Sequence, residues 1–353
     1  MSKFKIKPKL VFNCLVIGLC IGIVLYFIFS KDGLSDLLRS DMNVIWYWVV
    51  IAVISELLFM FFETLVIYIF IKDDYPKFRF FDAVKVSFMG LFWCAVTPSS
   101  TGGQPMQVYL LHSMGISIGY ATSRLIQKFM VYQVVLTLIN VVAVFLNLGF
   151  ILSRSNATLL LILLAFGFVS QLIVTGIMLL FSFSPKLSRK LIMFFAKILH
   201  KIRIIKNVDE KIASIDEQLK SFHTSNKDIY KKPKLLIPAT IFTFIEFVFM
   251  FLVSYFVYRA LGFSEASPVM IISSQAYVNL MSGMIPIPGS SGAAELGFAA
   301  FFGAFFLNGT LKSAALIWRF INYYGVVFFT APCAYITKGK ADRAKVFDEE
   351  LNS

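Results

Sequence analysis

Charge is scarce in this chain. Asp, Glu, Lys and Arg make up 15% of its 353 residues, against 58% hydrophobic residues. A water-soluble domain of this size cannot hide so much apolar surface, which excludes that class. Short alternating strands are missing as well, and the long continuous apolar runs argue against a membrane β-barrel. The four cysteines, Cys14, Cys20, Cys94 and Cys333, are scattered through apolar runs. That pattern excludes a disulfide framework or a zinc site and leaves them as small packing residues. His112 is a lone histidine with no Cys–His or Ser–His spacing around it. No G-x-x-x-x-G-K-[ST] loop occurs, which argues against ATP drive. Nothing indicates a cofactor, a metal or a nucleic-acid partner.

What is present is a series of long apolar stretches. A helix needs about 20 apolar residues to cross a bilayer. Full spans are expected at 10–29, 44–71, 122–147, 157–183, 235–260 and 311–337. The first follows a basic head, but it is longer than a signal-peptide core and no A-x-A site follows, so it is read as a span. Two further stretches, 80–113 and 268–307, are broken near the middle by Pro and Gly. They are either re-entrant hairpins or kinked full spans.

The distribution of bases favours hairpins. With both stretches re-entrant, the N-terminus, the 72–85 loop, the 185–234 segment and the tail share one side, holding 25 of the 33 Lys and Arg. Five (Lys31, Arg39, Arg154, Arg259, Lys312) fall on the other side, and Arg124, Lys128 and Arg319 fall in the membrane. Arg124 reads as a residue snorkelling to the inner face. This bias predicts both termini on the cytoplasmic side. Residues 185–226 read as surface helices, with Leu187, Leu191, Phe194, Ile198 and Ile202 on one face and Arg189, Lys190, Lys197 and Lys201 around it. Such a stripe lies flat on anionic inner-leaflet lipids.

The chain also nearly repeats itself. Ser55-Glu56-Leu57-Leu58-Phe59-Met60-Phe61 matches Ile245-Glu246-Phe247-Val248-Phe249-Met250-Phe251 at an offset of 190, from 56 to 246. The same offset carries Pro98 onto Pro288 and the Gly102 break onto Gly292; with one residue of slippage it carries Lys128 onto Arg319. Paired broken segments in two halves point to a transporter's binding site. Under the orientation above the halves, 44–150 and 235–337, are inverted. The expected fold is therefore an all-α polytopic membrane protein, a single integral domain over 1–353, with six full spans and two re-entrant helical hairpins in an inverted-topology repeat.

Glu56 lies about 18 Å into its span at about 1.5 Å per residue, near the midplane. Glu246 reaches a similar depth from the opposite direction. Such groups are costly in a membrane unless protonated, paired or facing a cavity. One reading makes Glu56, Glu63, Glu246, Glu295, Lys128 and Arg319 interhelical glue, with Glu63 the best fit to that role. The other makes a polar cavity whose bases and half-helix N-termini attract an anionic group, while the carboxylates balance charge or carry a proton. Thr97, Ser99, Gly102, Gly103, Gln104, Pro288, Gly289, Ser290 and Gly292 are lining candidates around the two breaks; Ser and Thr there serve equally as helix caps.

At these breaks the chain resembles a known family. Thr97-Pro98-Ser99-Ser100-Thr101-Gly102-Gly103-Gln104-Pro105, followed by Tyr109-Leu110-Leu111, looks like the first motif of the lysylphosphatidylglycerol synthase transmembrane (flippase-like) family. Pro286-Ile287-Pro288-Gly289-Ser290-Ser291-Gly292-Ala293-Ala294-Glu295 looks like its second, and Arg319 stands where members carry an Arg in the last span. The resemblance covers about 10–337 and implies a domain that moves lipid between leaflets. In two-domain members it flips aminoacylated phosphatidylglycerol and protects against cationic antimicrobial peptides; stand-alone relatives are thought to move other lipids, including lipid-linked sugars. Gln104 and Gln107 stand where many members have an acidic residue and an Arg. The chain ends at Ser353 with no soluble aminoacyl-transferase domain, so lysyltransferase activity is not expected.

The expected function is thus translocation of an anionic, glycosylated or aminoacylated lipid across a bacterial plasma membrane. The rivals are an intramembrane lipid-modifying enzyme using Glu295 or His112 as base, and a scaffold recruiting glycosyltransferases through 185–226. Expected partners are the lipid substrate and anionic inner-leaflet lipids, and a homodimer is left open.

Overall fold

A computed structural model describes residues 44–154, 156–201, 216–217, 219–220, 222–224, 232–283, 285, 287–306 and 309–334. The expected first span, 10–29, lies outside them. Every regular element among the described residues is helical. Five helices are long and apolar enough to cross a membrane: Trp46–Lys72, Ile118–Leu152, Ala157–Leu180, Pro233–Ala260 and Leu311–Ala334. They coincide with five of the six expected spans. The protein is an all-α, multi-pass membrane protein.

In chain order the helices are α1 (Trp46–Lys72), α2 (Phe80–Val96), α3 (Gly103–Ser113), α4 (Ile118–Leu152), α5 (Ala157–Phe183), α6 (Pro185–Lys201), α7 (Pro233–Ala260), α8 (Pro268–Ser282), α9 (Ala293–Phe302), α10 (Leu311–Arg319) and α11 (Val326–Ala334). Short 3₁₀ turns, Pro98–Ser100 and Pro288–Ser290, follow α2 and precede α9. A π turn, Phe320–Gly325, joins α10 to α11.

The bundle is organised around α1 and α7, which share its most extensive contact. Trp48 stacks on Phe256, the Ser55 hydroxyl donates to the Phe249 carbonyl at 2.8 Å, and Phe62 packs on Phe242. Each advance of seven residues in α1 is a retreat of seven in α7, so the two helices run antiparallel with one face turned steadily to the other. Water does not drive helices together inside a bilayer; close packing does. The aromatic rings and the small Ser55 side chain supply that packing.

Each broken stretch doubles back on itself. In the first, Gly90 lies against Gln107 and Gly103 against Cys94, so α3 retraces α2. A Cβ at Gly103 would stand 2.2 Å from the Cys94 sulfur and 2.9 Å from the Gly90 carbonyl. Only glycine permits that approach. The hairpin's two ends meet again in one apolar cluster, where Phe78 and Tyr75 before α2 join Leu111, Met114 and Ile116 after the return. In the second, Gly297 faces Met281 and Tyr277 packs on Phe301, so α9 retraces α8. Its ends meet where Phe263 and Phe306 pack edge to face beside Tyr258. The first hairpin thus opens at the C-terminal end of α1 and the second at the C-terminal end of α7. Because α1 and α7 are antiparallel, the hairpins enter from opposite ends of the bundle, and their 3₁₀ turns touch.

One end of the bundle is pinned by charge. Asp74, just beyond α1, accepts from Tyr120 at 2.8 Å, pairs with Arg124 of α4, and pairs with Lys232 before α7 at 2.9 Å. Arg124 is therefore a buried tie between helices, stacked over the Tyr120 ring, and not the snorkelling residue its position suggests. Asp74, close enough in space to accept its charge, lies 50 residues away in sequence. Burial of Asp74 works against its ionised form, but Lys232, Arg124 and Tyr120 outweigh it and hold the carboxyl below its usual value. The stability this tie contributes is present above the ordinary Asp value of about 3.9 and is lost as pH falls through the lowered one.

The basic segment begins as expected. α6 is helical over Pro185–Lys201, and Arg189 reaches Asp216 with two hydrogen bonds of 2.7 and 2.8 Å. Leu219 and Phe222 beyond it are buried. Of the expected apolar stripe, Leu187 is half-buried and Phe194 exposed, while Leu191, Ile198 and Ile202 lie outside the described side chains.

The doubled-back geometry makes a direct prediction. In a background without native cysteines, single cysteines at Lys77 and His112 should react with an impermeant thiol reagent from the same face of a sealed vesicle. Reaction from opposite faces would mean that the first broken stretch crosses.

Candidate functional site

The two breaks share a turn and part after it: Gly102 has a φ of −78° and Gly292 one of 84°. Pro98 and Pro288 each open a 3₁₀ turn, which suits a residue whose φ is fixed and whose N–H is missing. The next two residues adopt positive φ in both: 51° and 54° at Ser99 and Ser100, 60° and 50° at Gly289 and Ser290. The amides of Ser100 and Ser290 donate to the carbonyls of Thr97 and Ile287. The hydroxyls of Thr101 and Ser291 donate to those of Pro98 and Pro288, at 2.9 and 3.1 Å. Every one of these correspondences falls at the offset of 190 seen in the sequence. Three serines held in the left-handed region cost on the order of 1–3 kcal/mol each, a strain typical of binding sites.

The turns are secured differently. In the first, the Thr97 hydroxyl donates to the Trp93 carbonyl and accepts from the Gly102 amide at 2.9 Å. In the second, Gly292 donates to a Glu295 carboxylate oxygen at 2.6 Å. The other oxygen of Glu295 accepts from Arg319 Nε at 2.6 Å, and the same guanidinium donates to the Gly289 carbonyl at 2.7 Å. Arg319 thus closes the second hairpin from α10, one residue before the helix loosens into its π turn. Such turns are frequent at functional sites.

Tyr323, in that π turn, joins the two hairpins. Its hydroxyl donates to the Ala95 carbonyl of the first at 3.1 Å, while its ring covers Gly289 of the second. The ring also lies under the Arg319 guanidinium, 4.8 Å from its centroid. A Cβ at Gly289 would fall 2.2 Å from the ring at a φ that side chains avoid, so glycine is required there.

A second set of charges lies beside the first. Lys128 of α4 pairs with Glu63 of α1, and both are buried or nearly so. Glu246 of α7 faces Glu63, and Tyr132 lies close to Glu246. The Cys94 side chain at the end of α2 faces the Glu63–Lys128 pair. The neighbouring Ala95 is the carbonyl that Tyr323 bonds, so the last turn of α2 separates the two sets. Glu56 is 4% exposed, and neither of its carboxylate oxygens meets a hydrogen-bond partner. Asn322 of the π turn faces it.

The structure therefore brings Arg319, Glu295, Gly289, Pro288, Ser290 and Gly292 into one unit, and Lys128 and Glu246 into another built on Glu63. Thr97 and Gly102 share a hydrogen bond. Ser99 projects at the exposed tip, Gly103 packs on Cys94, and Gln104 is half-buried at the start of α3. Both bases are ion-paired. Tyr323 and Asn322 were missed by sequence reasoning; the offset of 191 that carries Lys128 onto Arg319 also carries Tyr132 onto Tyr323, and that was the signal for the tyrosine.

A model of the lysylphosphatidylglycerol synthase TM region matches residues 11–329. The chain belongs to this family. Among curated proteins it is similar to an Archaeoglobus fulgidus protein described as a UPF0104 membrane protein, 23% identical over 329 residues, covering 90% of this chain and 94% of that one. No solved structure matches. In this family member, both motifs that carry the resemblance form the tips of the two hairpins.

Two outcomes are expected. Lys128→Met leaves Glu63 and Glu246 facing each other with no base, and breaking such a buried pair costs about 3–5 kcal/mol. It should lower the thermal midpoint in detergent sharply, and adding Glu63→Gln should restore much of the loss. Gly289→Ala should separate Tyr323 from the tip and depress the midpoint, whereas Gly149→Ala, where a Cβ meets nothing within 4 Å, should leave it within error.

Proposed function

We propose that this chain is a lipid translocase of a bacterial plasma membrane. It moves an anionic, glycosylated or aminoacylated lipid between leaflets, with both termini cytoplasmic and the two hairpins acting as re-entrant elements of inverted halves. One observation carries the reading: two hairpin tips enter from opposite ends and touch each other, presenting exposed Ser and Thr beside an Arg–Glu pair. Non-helical backbone at membrane depth survives only where protein or a wet cavity surrounds it. A headgroup passing between the tips finds such a place, while its tails stay in lipid along the apolar outer faces of α4 and α5, where Phe145, Leu146, Leu172 and Ile173 are exposed.

The family supports a lipid-related role, and the antiparallel pairing of α1 with α7 supports the inverted repeat. Arg319 is 6% exposed and Glu295 is 41% exposed, so the carboxylate is the partner a polar headgroup reaches first. An anionic headgroup displacing Glu295 would gain the guanidinium together with the amides at the start of α9. The same displacement would loosen the Gly292 amide and the tip with it, which gives the site a way to respond to its cargo.

The test is reconstitution into vesicles carrying fluorescent phosphatidylglycerol, its aminoacylated form or a lipid-linked sugar, with an impermeant quencher outside. At least one lipid should change leaflet faster than in empty vesicles, and Arg319→Ala should abolish the gain. Equal movement by the mutant removes Arg319 from the mechanism. No movement of any of the three rejects translocation, and a change in lipid mass favours an enzyme.

A further inference from the structure

We propose that Glu56 and Glu246 are a matched pair of proton-binding sites that couple lipid movement to a proton gradient. The inference rests on the translocase reading and adds a driving force to it. The two residues are equivalent under the offset of 190, and they lie on the two helices that form the antiparallel centre of the bundle. Ser55 bonds the carbonyl of Phe249 next to them, so both carboxyls sit near the level at which α1 and α7 cross. Glu56 is 4% and Glu246 2% exposed. Both oxygens of Glu56 and Oε2 of Glu246 lack a hydrogen-bond partner.

Each site is completed by the opposite half. Glu56 of the first half faces Asn322 of the second. Glu246 of the second faces Glu63 of α1 and Tyr132 of α4, with Lys128 of α4 close by, all from the first. From α2, Cys94 faces the Glu63–Lys128 pair. The remaining neighbours are turned elsewhere: α8 offers Gln275 to Ser254, and Arg319 of α10 is held by Glu295 and Gly289.

The charges do not balance without a further cation. Lys128 neutralises one carboxylate, and Glu63 already holds it, so Glu246 has a like-charged neighbour and Glu56 has no base. A buried, unpaired carboxylate costs several kcal/mol. Among the described residues no group of three His, Cys, Asp or Glu gathers to hold a metal ion. A proton needs one lone pair. When the halves rock about their shared centre, the partner residues on each site change together, so a proton taken from one side leaves to the other.

Two measurements test this. Dicyclohexylcarbodiimide reacts with protonated carboxyls in apolar surroundings, and mass spectrometry should find its adduct on Glu56 and Glu246, increasing on acidification. Absence of the adduct at both positions over the whole pH range overturns the proposal, whatever the vesicles do. In vesicles, a pH gradient without added sodium should drive net redistribution of the lipid, and Glu56→Gln or Glu246→Gln should lose that drive. If lipid moves but ignores the pH gradient, or follows a sodium gradient instead, the coupling proposal fails and translocation stands. If no lipid moves, the translocase reading fails, while the adduct still reports on the proton sites.

Discussion

The Arg319 guanidinium holds together what the rest of the interior requires. In the second hairpin α8 ends at Ser282 and α9 begins at Ala293, and around the tip the backbone keeps only the 3₁₀-type bonds from the Ser290 and Ser291 amides. Arg319 takes the Gly289 carbonyl and Glu295, and Glu295 takes the Gly292 amide. One cation and one carboxylate thus satisfy a backbone that lipid would leave bare. Tyr323 extends the same unit to the first hairpin through the Ala95 carbonyl.

The first hairpin solves the problem without charge. Thr97 caps the turn and Gly103 lets α3 lie against the end of α2. The two tips therefore share a 3₁₀ turn and differ in the chemistry that secures it. The Arg–Glu pair lies at one tip, and the Lys128–Glu63 pair is faced by Cys94 at the end of α2.

Much of this was legible in the sequence, for identifiable reasons. Spans follow from uninterrupted apolar runs, because the bilayer has a fixed thickness. The tips follow from Pro and Gly at a constant offset, because only those residues open and reverse a helix so abruptly. Glu295 and Arg319 were nameable together because a base in the last span and an acid at a half-helix start seldom occur without a partner. Arg124 was misread for a physical reason too: its depth suits snorkelling, and nothing local tells that Asp74 will fold over it. Glu63 fitted the role of interhelical glue in sequence, and its Lys128 partner emerged only when α1 and α4 were packed.

Period and composition, both local properties, determined that this is a helical membrane protein, and Pro and Gly marked the two stretches that break. Which charge meets which depended on how antiparallel helices align over many turns, where a shift of one residue rotates a side chain by about 100° around the axis. Only the tertiary structure could decide that Lys128 belongs to Glu63, that Tyr323 bridges both tips, and that Glu56 is left without a base.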